Sequence, residues 1–471
     1  MMQSTLIVRE SDWRRLDAHF AGSGLERMAF GLCGGTVAGE AGPVLLLRSL
    51  DIPVEQEYRN QGPSSVSLNA AYAPPRAVRA RETGAVAWLD AHSHPFASEP
   101  WPSCVDERGA MEQARLFLTS APGVWLLRMI FSGSGAIWAA ASPTDSIRWE
   151  PIQSVVVLSP HRRLVITPVN APHGEAPPGD DPHHLRTRAV LRRNGEQTLA
   201  GVHAMVIGLG GTGQALVRQL SGYIRDWTLV DPDVVELHNA PRLHYYREGD
   251  VGMPKVEAVA RGLREAFPDR RVQVIAAPFP DGVPQSALRR ADLIFCCPDS
   301  HTVRYAAAVE AARWMQPLIE VGCGGKRAGG TISALGYHVR LQAPDGPCLV
   351  CNGLDIRDLE DPTSTAGKRR AGYLGDDGTV PGELMSLTTR AAADAAEIAI
   401  RFLTGYAEPA APTHIYYDAL QFRSVDLTGS GMCQAGCHLC STDSDSIAGV
   451  GDGGETEAVL ACPKGGDNAA A

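Results

Sequence analysis

Met205-Val206-Ile207-Gly208-Leu209-Gly210-Gly211-Thr212-Gly213 decides how the larger part of this chain is read. A short apolar run feeds four glycines, and a helix-like segment, Gln214 to Leu220, comes next. That order lets an anion approach bare backbone, because glycines remove the obstructing side chains and a helix N-terminus presents free N–H groups. About twenty residues on, a second apolar run, Trp227-Thr228-Leu229-Val230, ends in Asp231 and Asp233, where a ribose hydroxyl finds a carboxylate. The pattern predicts a nucleotide-binding βαβ unit with Gly208, Gly210, Gly211 and Gly213 against the phosphates.

Working outward, strands are expected at Val272–Ala276, Leu293–Cys297, Pro317–Val321 and Gly330–Leu335. Helices are expected at Lys255–Phe267 and Thr302–Trp314. The alternation reads as α/β, a mostly parallel, doubly wound sheet. Leu387 to Leu403 is an alanine-rich amphipathic helix with a core-packing face. Upstream, Arg186 to Ala200 is a basic helix and loop leading to the glycine turn.

The chain's 471 residues exceed one ordinary core, so two or three domains are expected. A net charge of −10, with no basic stripe or tail, argues against nucleic-acid binding. No apolar run has the length of a membrane span, and Met1 to Glu10 lacks a signal-peptide pattern, so a cytoplasmic protein is expected. Among eleven cysteines, Cys348/Cys351 and Cys437/Cys440 are Cys-x-x-Cys pairs, which in a reducing compartment read first as metal ligands.

Residues 1–150 read as a separate α/β domain. A helix is expected over Asp12–Phe20, with strands at Arg27–Cys33, Val44–Leu50 and Ala85–Ala91. The last runs into His92-Ser93-His94-Pro95, and a helix, Glu107–Leu118, comes after Ser103 and Asp106. Strands at Val124–Phe131 and Ala136–Ala140 close the domain. Histidines at i and i+2 of a strand end project from one side, and Asp106 supplies an oxygen. Three protein ligands leave a fourth tetrahedral position for water, the arrangement of a catalytic zinc. A carboxylate to move protons and a donor for an oxyanion are also required, and Glu26 and Ser103 are the candidates.

His-x-His-Pro-x7-Ser-x2-Asp over residues 92–106 resembles the signature of the JAB/MPN+ (JAMM) metalloproteases. Glu26, in Glu-Arg-Met-Ala-Phe-Gly-Leu-Cys-Gly, resembles that family's upstream catalytic glutamate. The resemblance implies that His92, His94 and Asp106 hold zinc, that Glu26 is general acid/base, and that Ser103 steadies a tetrahedral intermediate. It also implies hydrolysis of bonds at the end of ubiquitin-like C-termini.

Residues 185–441 resemble the ThiF/MoeB/HesA group, the adenylating relatives of ubiquitin-activating enzymes. That likeness implies ATP phosphates along Gly208–Gly213 and ribose at Asp231, with Asp233 beside it. Asn239, Arg242 and Lys255 match the Asn-x-x-Arg and Gly-x-Pro-Lys elements that grip the phosphates, and Asp299 matches the acid that organises Mg2+. Arg188 matches an arginine that reaches into a partner subunit's site, which implies a homodimer. Cys348, Cys351, Cys437 and Cys440 pair as a four-thiolate structural zinc.

One departure stands out. Relatives that carry a protein as a thioester keep a cysteine after the first Cys-x-x-Cys, but Asn352 to Met432 contains none. Thr363-Ser364-Thr365 offers hydroxyls there, and Cys323, Cys433 and Cys462 are thiols elsewhere. The proline-rich stretch 151–184 reads as a linker, with Ser154–Leu158 and Leu164–Ile166 able to extend the first domain, and 442–471 reads as a disordered tail.

The expected protein is bifunctional. It adenylates the C-terminus of a ubiquitin-like protein with ATP and Mg2+, and it processes such C-termini with Zn2+. The adenylate passes to an external acceptor such as a conjugating enzyme. A sulfur-carrier protein or small peptide is the alternative substrate, and a binding scaffold with inactive sites is a third reading.

Overall fold

The structure is a computed structural model that describes residues 4–38, 42–172, 185–328, 331–354, 356, 383–407, 410–441 and 446–452. Thr363-Ser364-Thr365 and Cys462 lie outside the described residues.

The N-terminal half is built on a mixed nine-stranded sheet. Its strands are β1 (Thr5–Arg9), β2 (Met28–Thr36), β3 (Val44–Asp51), β6 (Ala87–His94), β7 (Trp125–Ser132), β8 (Ile137–Ser142), β9 (Glu150–Pro151), β10 (Ser154–Leu158) and β11 (Arg163–Ile166). Their order is β11-β10-β1-β3-β2-β6-β7-β8-β9, and β4 (Tyr58–Gln61) and β5 (Val66–Leu68) form a separate hairpin. Helix α1 (Glu10–Phe20) covers one face with Leu16 and Phe20 against Leu6, Leu45 and Leu89. Helices α2 (Ala73–Glu82) and α3 (Cys104–Ser120) cover the other, where Ala77 and Phe117 pack near Phe30 and Trp88.

Alternation along β6 sets the site. Trp88 stacks toward Phe117 of α3, and Asp90 accepts from Gln113 of α3 at 3.1 Å. His92 and His94 therefore fall on the same α3 face, opposite its first turn, since residues two apart share a face of a strand.

The C-terminal half carries an eight-stranded sheet. Strands β12 (His203–Ile207), β13 (Asp226–Val230), β14 (Arg271–Ile275), β15 (Leu293–Cys296) and β16 (Leu318–Ala328) run parallel; β17 (Thr331–Gln342), β18 (His414–Asp418) and β19 (Arg423–Asp426) continue antiparallel. Helix α4 (Leu185–Gly201) is broken at Arg192, whose φ is 58°. Helices α5 (Gly211–Leu220), α6 (Lys255–Ala266), α7 (Gln285–Arg290), α8 (His301–Arg313) and α9 (Met385–Thr404) complete the unit. Buried α9 residues from Leu387 to Leu403 join the same core as α5, as the periodicity predicts.

Two boundaries differ from the sequence expectation. Residues 151–166 are not linker, because the β10 backbone pairs with β1 and β11, and Val156 and Leu158 enter the C-terminal core. The tail boundary at 442 cuts through folded protein. Residues 446–452 lie between the halves, with Gly451 bridged to Gly35 and with Gly449 and Gly451 donating N–H to the carbonyls of Ala312 and Arg313. Glycine allows this close passage, since a Cβ at Gly34 would stand 2.0 Å from the Gly449 carbonyl oxygen. Further contacts join the halves. Ser11 N–H and Oγ bond the Asp345 carboxylate at 2.7 and 2.8 Å, and Arg163 meets Asp292 at 2.8 Å.

Candidate functional sites

In the N-terminal half, His92 Nε2 lies 3.2 Å and His94 Nε2 3.5 Å from the two Asp106 carboxylate oxygens. One donor atom from each of His92, His94 and Asp106 lies within 4.8 Å of the others, and two imidazole nitrogens with a carboxylate oxygen are a donor set that suits zinc. His92 Nε2 is also buried, and its approach to Asp106 falls outside hydrogen-bond geometry. Asp106 sits on the first turn of α3 in a capping box. Ser103 Oγ accepts the Asp106 N–H, and Asp106 Oδ2 accepts the Ser103 N–H at 2.5 Å. Ser103 thus holds Asp106 in place, while its own hydroxyl hydrogen is left to donate.

Glu26 is buried beside this set and anchored by its backbone, the N–H to Gly62 and the carbonyl to the Gln61 side chain. Burial pushes its carboxyl up. His94 and His92 pull it down and Asp106 pushes it up, and the net direction is upward. Ser93, between the histidines, accepts the Arg27 N–H at 3.0 Å and ties the Glu26 strand entry to β6. The sequence reading did not single it out.

In the C-terminal half the glycine turn lies at the carboxyl end of the parallel strands. Gly208 has φ +88°, and a Cβ there would meet Pro298 N at 2.8 Å; a Cβ at Gly213 would meet Gly208 O at 2.0 Å. Both are glycine for packing. Gly210 faces open space, while Gly211 approaches the Arg242 carbonyl. The buried Asp231 carboxylate accepts N–H from Leu209 at 2.6 Å and Asp233 at 2.8 Å, so it ties the turn to β13 and retains lone pairs for a hydroxyl. Burial pushes this carboxyl up, and Lys255 offsets part of the shift.

Lys255 Nζ meets Asp233 at 2.8 Å, and buried Asn239 caps its own turn through the Glu236 N–H. Asp299 is exposed just beyond β15. Arg188 is held by Glu196 at 2.8 Å across the break in α4.

Two parts of this region were not read from sequence. Arg242 Nε lies 3.2 Å from Glu383, a carboxylate just before α9. Burial pushes the Glu383 carboxyl up and Asp299 adds to this, while Arg242 and Lys255 pull it down, and the net direction is upward. Nothing local marks Glu383. Beneath them, Glu320 is fully buried among Arg304 (3.2 Å), His338 (3.0 Å) and Arg340 (2.9 Å). Burial would raise its carboxyl, but His338 and the two arginines hold it well below the usual range. Arg304 also donates to the Pro298 carbonyl at 2.9 Å, which fixes the turn carrying Asp299. An acid inside the apolar run Leu318-Ile319-Glu320-Val321 was the available signal.

Cys348, Cys351, Cys437 and Cys440 bring their sulfurs within 4.8 Å of one another. The Cys348–Cys437 and Cys351–Cys440 separations are 3.8 and 3.7 Å. Four thiolates around zinc at about 2.3 Å have edges of about 3.8 Å, so this set also fits. Cys323 lies elsewhere, 3.6 Å from Thr212 Oγ1, its thiol pushed up to about 12 by burial.

The family model described as the ThiF family matches residues 184–437. The chain belongs to the ThiF family. This ThiF-family chain is 28% identical over 251 residues to the molybdopterin-synthase adenylyltransferase of Escherichia coli (strain K12), across 52% of this chain and 90% of that protein. It is 26% identical over 253 residues to the sulfur carrier protein ThiS adenylyltransferase of the same strain, across 52% and 89%. The solved structure of E. coli MccB with MccA-N7isoASN aligns at a TM-score of 0.43 and 20% identity, across 52% of this chain and 69% of that one. Residues 1–183 lie outside the family match. Among the described residues, no helix is long and apolar enough to cross a membrane.

Proposed function

We propose that the C-terminal half is an ATP-dependent adenylyltransferase acting on the C-terminal carboxylate of a ubiquitin-like or sulfur-carrier protein, and that residues 1–150 form a zinc-dependent JAB-type hydrolase of such C-termini. The observation that carries the first part is what stands against the glycine turn: the Arg242 backbone beside Gly211, with the Arg242 side chain on Glu383, and Pro298, next to Asp299, beside Gly208. The name of the sulfur carrier protein ThiS adenylyltransferase supports the sulfur-carrier part of this substrate class.

In the adenylation step a substrate carboxylate oxygen bonds to the α-phosphorus, and the bond to the β-phosphate breaks. Pyrophosphate leaves and an acyl-adenylate remains. Arg242 and Lys255 neutralise charge on the phosphates, N–H groups at the start of α5 face them, and Asp231 takes the ribose. Asp299 would hold the Mg2+ that accompanies ATP. The adenylate passes to an external acceptor such as a conjugating enzyme, in keeping with the cysteine-free stretch 352–432. In a homodimer Arg188 would exchange Glu196 for the partner's phosphates.

In the hydrolase half, His92, His94 and Asp106 would hold zinc, which when bound makes water a nucleophile near neutral pH. Glu26, its carboxyl shifted toward neutral, takes the proton and returns it to the leaving amine. Ser103 donates its hydroxyl hydrogen to the carbonyl oxygen. Cys348, Cys351, Cys437 and Cys440 would hold a structural zinc.

ATP–pyrophosphate exchange with Gly-Gly-ended ubiquitin-like and sulfur-carrier proteins tests the adenylation reading. Exchange with one of them, lost in Asp299→Ala, is the expected result. Absence of exchange with every candidate would overturn it.

A further inference from the structure

A fifth thiol stands against the four-thiol cluster. Cys433 is exposed, and its sulfur lies 3.0 Å from that of Cys440. That separation is shorter than the edge of about 3.8 Å that zinc imposes on its ligands. Cys433 is not one of the four sulfurs that lie within 4.8 Å of one another, and it stands outside that set, against one of its members. Its neighbour Gln434 donates its N–H to Cys351 at 3.5 Å, which fixes the Cys433 turn over the cluster.

The thiol cluster is also where the connection between the halves begins. Ser446–Asp452 lies against the cluster's own segment, where Ile447 donates its N–H to the His438 carbonyl. Arg48 of β3 donates to the Ser446 carbonyl at 3.2 Å, and Arg313 of α8 donates to that of Gly451 at 2.5 Å. Arg289 pairs with Asp452 at 3.1 Å. Beyond these, Gly35 donates to Val450 and accepts from Asp452. Disturbing Cys440 therefore disturbs the root of the strap.

We propose that Cys433 and Cys440 form a peroxide-reactive pair whose oxidation opens the four-thiol cluster and loosens the strap that joins the two halves. This rests on the cluster holding a structural metal. The Cys433 thiolate attacks one oxygen of hydrogen peroxide, the O–O bond breaks, and a sulfenic acid forms with loss of hydroxide. The Cys440 thiolate then attacks that sulfur and expels a second hydroxide. Two thiols and one peroxide become one disulfide and two waters. Cys348, Cys351 and Cys437 are left as three thiols, which is too few for a closed structural site. Exposure of Cys433 gives the oxidant access, while Cys348 is fully buried and not the first to react.

The experiment uses the zinc-loaded full chain carrying Asp106→Ala, which removes the other donor set, with and without Cys433→Ser or Cys433→Ala. After zinc content is measured, hydrogen peroxide is added. Released zinc, disulfide-linked peptides and amide exchange over 33–36 and 446–452 are then monitored. The expected result is one equivalent of zinc released together with a Cys433–Cys440 disulfide, reversal by dithiothreitol, and faster exchange in both segments. Either Cys433 variant should release zinc at least tenfold more slowly. Equal release rates, a disulfide between other cysteines, or unchanged exchange would overturn the proposal. Absence of zinc from the untreated Asp106→Ala protein would instead refute the metal reading, which the peptide map separates from a failure of the thiol pair.

Discussion

Cys348, Cys351, Cys437 and Cys440 bring four donors together, whereas His92, His94 and Asp106 bring three, with the buried Glu26 close enough for their charges to act on its carboxyl. The thiols join two distant chain segments and lie against the apolar packing of Leu349, Leu354 and Leu439. The imidazoles and carboxylate come from one strand end and the next helix start, on a sheet with its own core on both faces. A closed donor set can hold a fold together; an open one on an already stable scaffold can serve chemistry. If this contrast holds, losing thiols should cost folding and losing imidazole-site groups should cost turnover.

The largest effect is expected for Cys348→Ser. It should release metal and destabilise the C-terminal half by roughly 5 kcal/mol, lowering its thermal midpoint by about 10 °C or more in a calorimetric scan. An unchanged midpoint would erase the contrast.

Glu26→Gln should sharpen the contrast from the other side. Hydrolysis should fall by about 10²–10⁴-fold, roughly 3–5 kcal/mol of barrier, while metal content and midpoint stay at wild-type values. A comparable loss of stability would make Glu26 a structural acid.

Acid should act on the C-terminal half through His203. Burial and nearby Arg290 push this imidazole down to about 4, and it bonds Thr228 at 2.8 Å. The fold favours the neutral ring, whereas the unfolded chain takes a proton near pH 6.5. Stability is therefore present above pH 6.5 and lost as pH falls toward 4, by up to about 3 kcal/mol. Urea midpoints across this window should fall less in His203→Gln than in the wild type, and parallel curves would rule the mechanism out.

A small loss of stability is expected for Asp106→Ala. It removes one donor and a capping box, costing about 1 kcal/mol of stability, yet it should abolish metal retention at this site and hydrolysis with it. A loss of several kcal/mol would mean that the open set is structural as well.

How much of this was legible depended on how local each feature is. His92, His94, Ser103 and Asp106 fall within fifteen consecutive residues, and the glycine turn and Asp231 belong to one βαβ unit, so spacing carried both. The parallel sheet was legible from alternating strands and helices. Glu383 was not, because it meets Arg242 from a distant part of the sequence, just before α9. Glu320 carried the signal of an acid in an apolar run, but its partners come from the neighbouring strand β17 (His338 and Arg340) and from helix α8 (Arg304). The 446–452 strap was hidden by composition. Its small and polar residues resemble a solvated tail, yet they permit the tight passage beside Gly34 and Gly35.

The central claim is that both halves work on the same C-terminus. It can be tested by giving the full chain a ubiquitin-like protein blocked by a peptide after its Gly-Gly end, and measuring ATP–pyrophosphate exchange. The account predicts that the wild type begins exchange only after a lag set by removal of the peptide. It also predicts that Glu26→Gln gives no exchange with the blocked protein and full exchange with one already trimmed. Immediate exchange with the blocked protein, or a lag unaffected by Glu26→Gln, would contradict it.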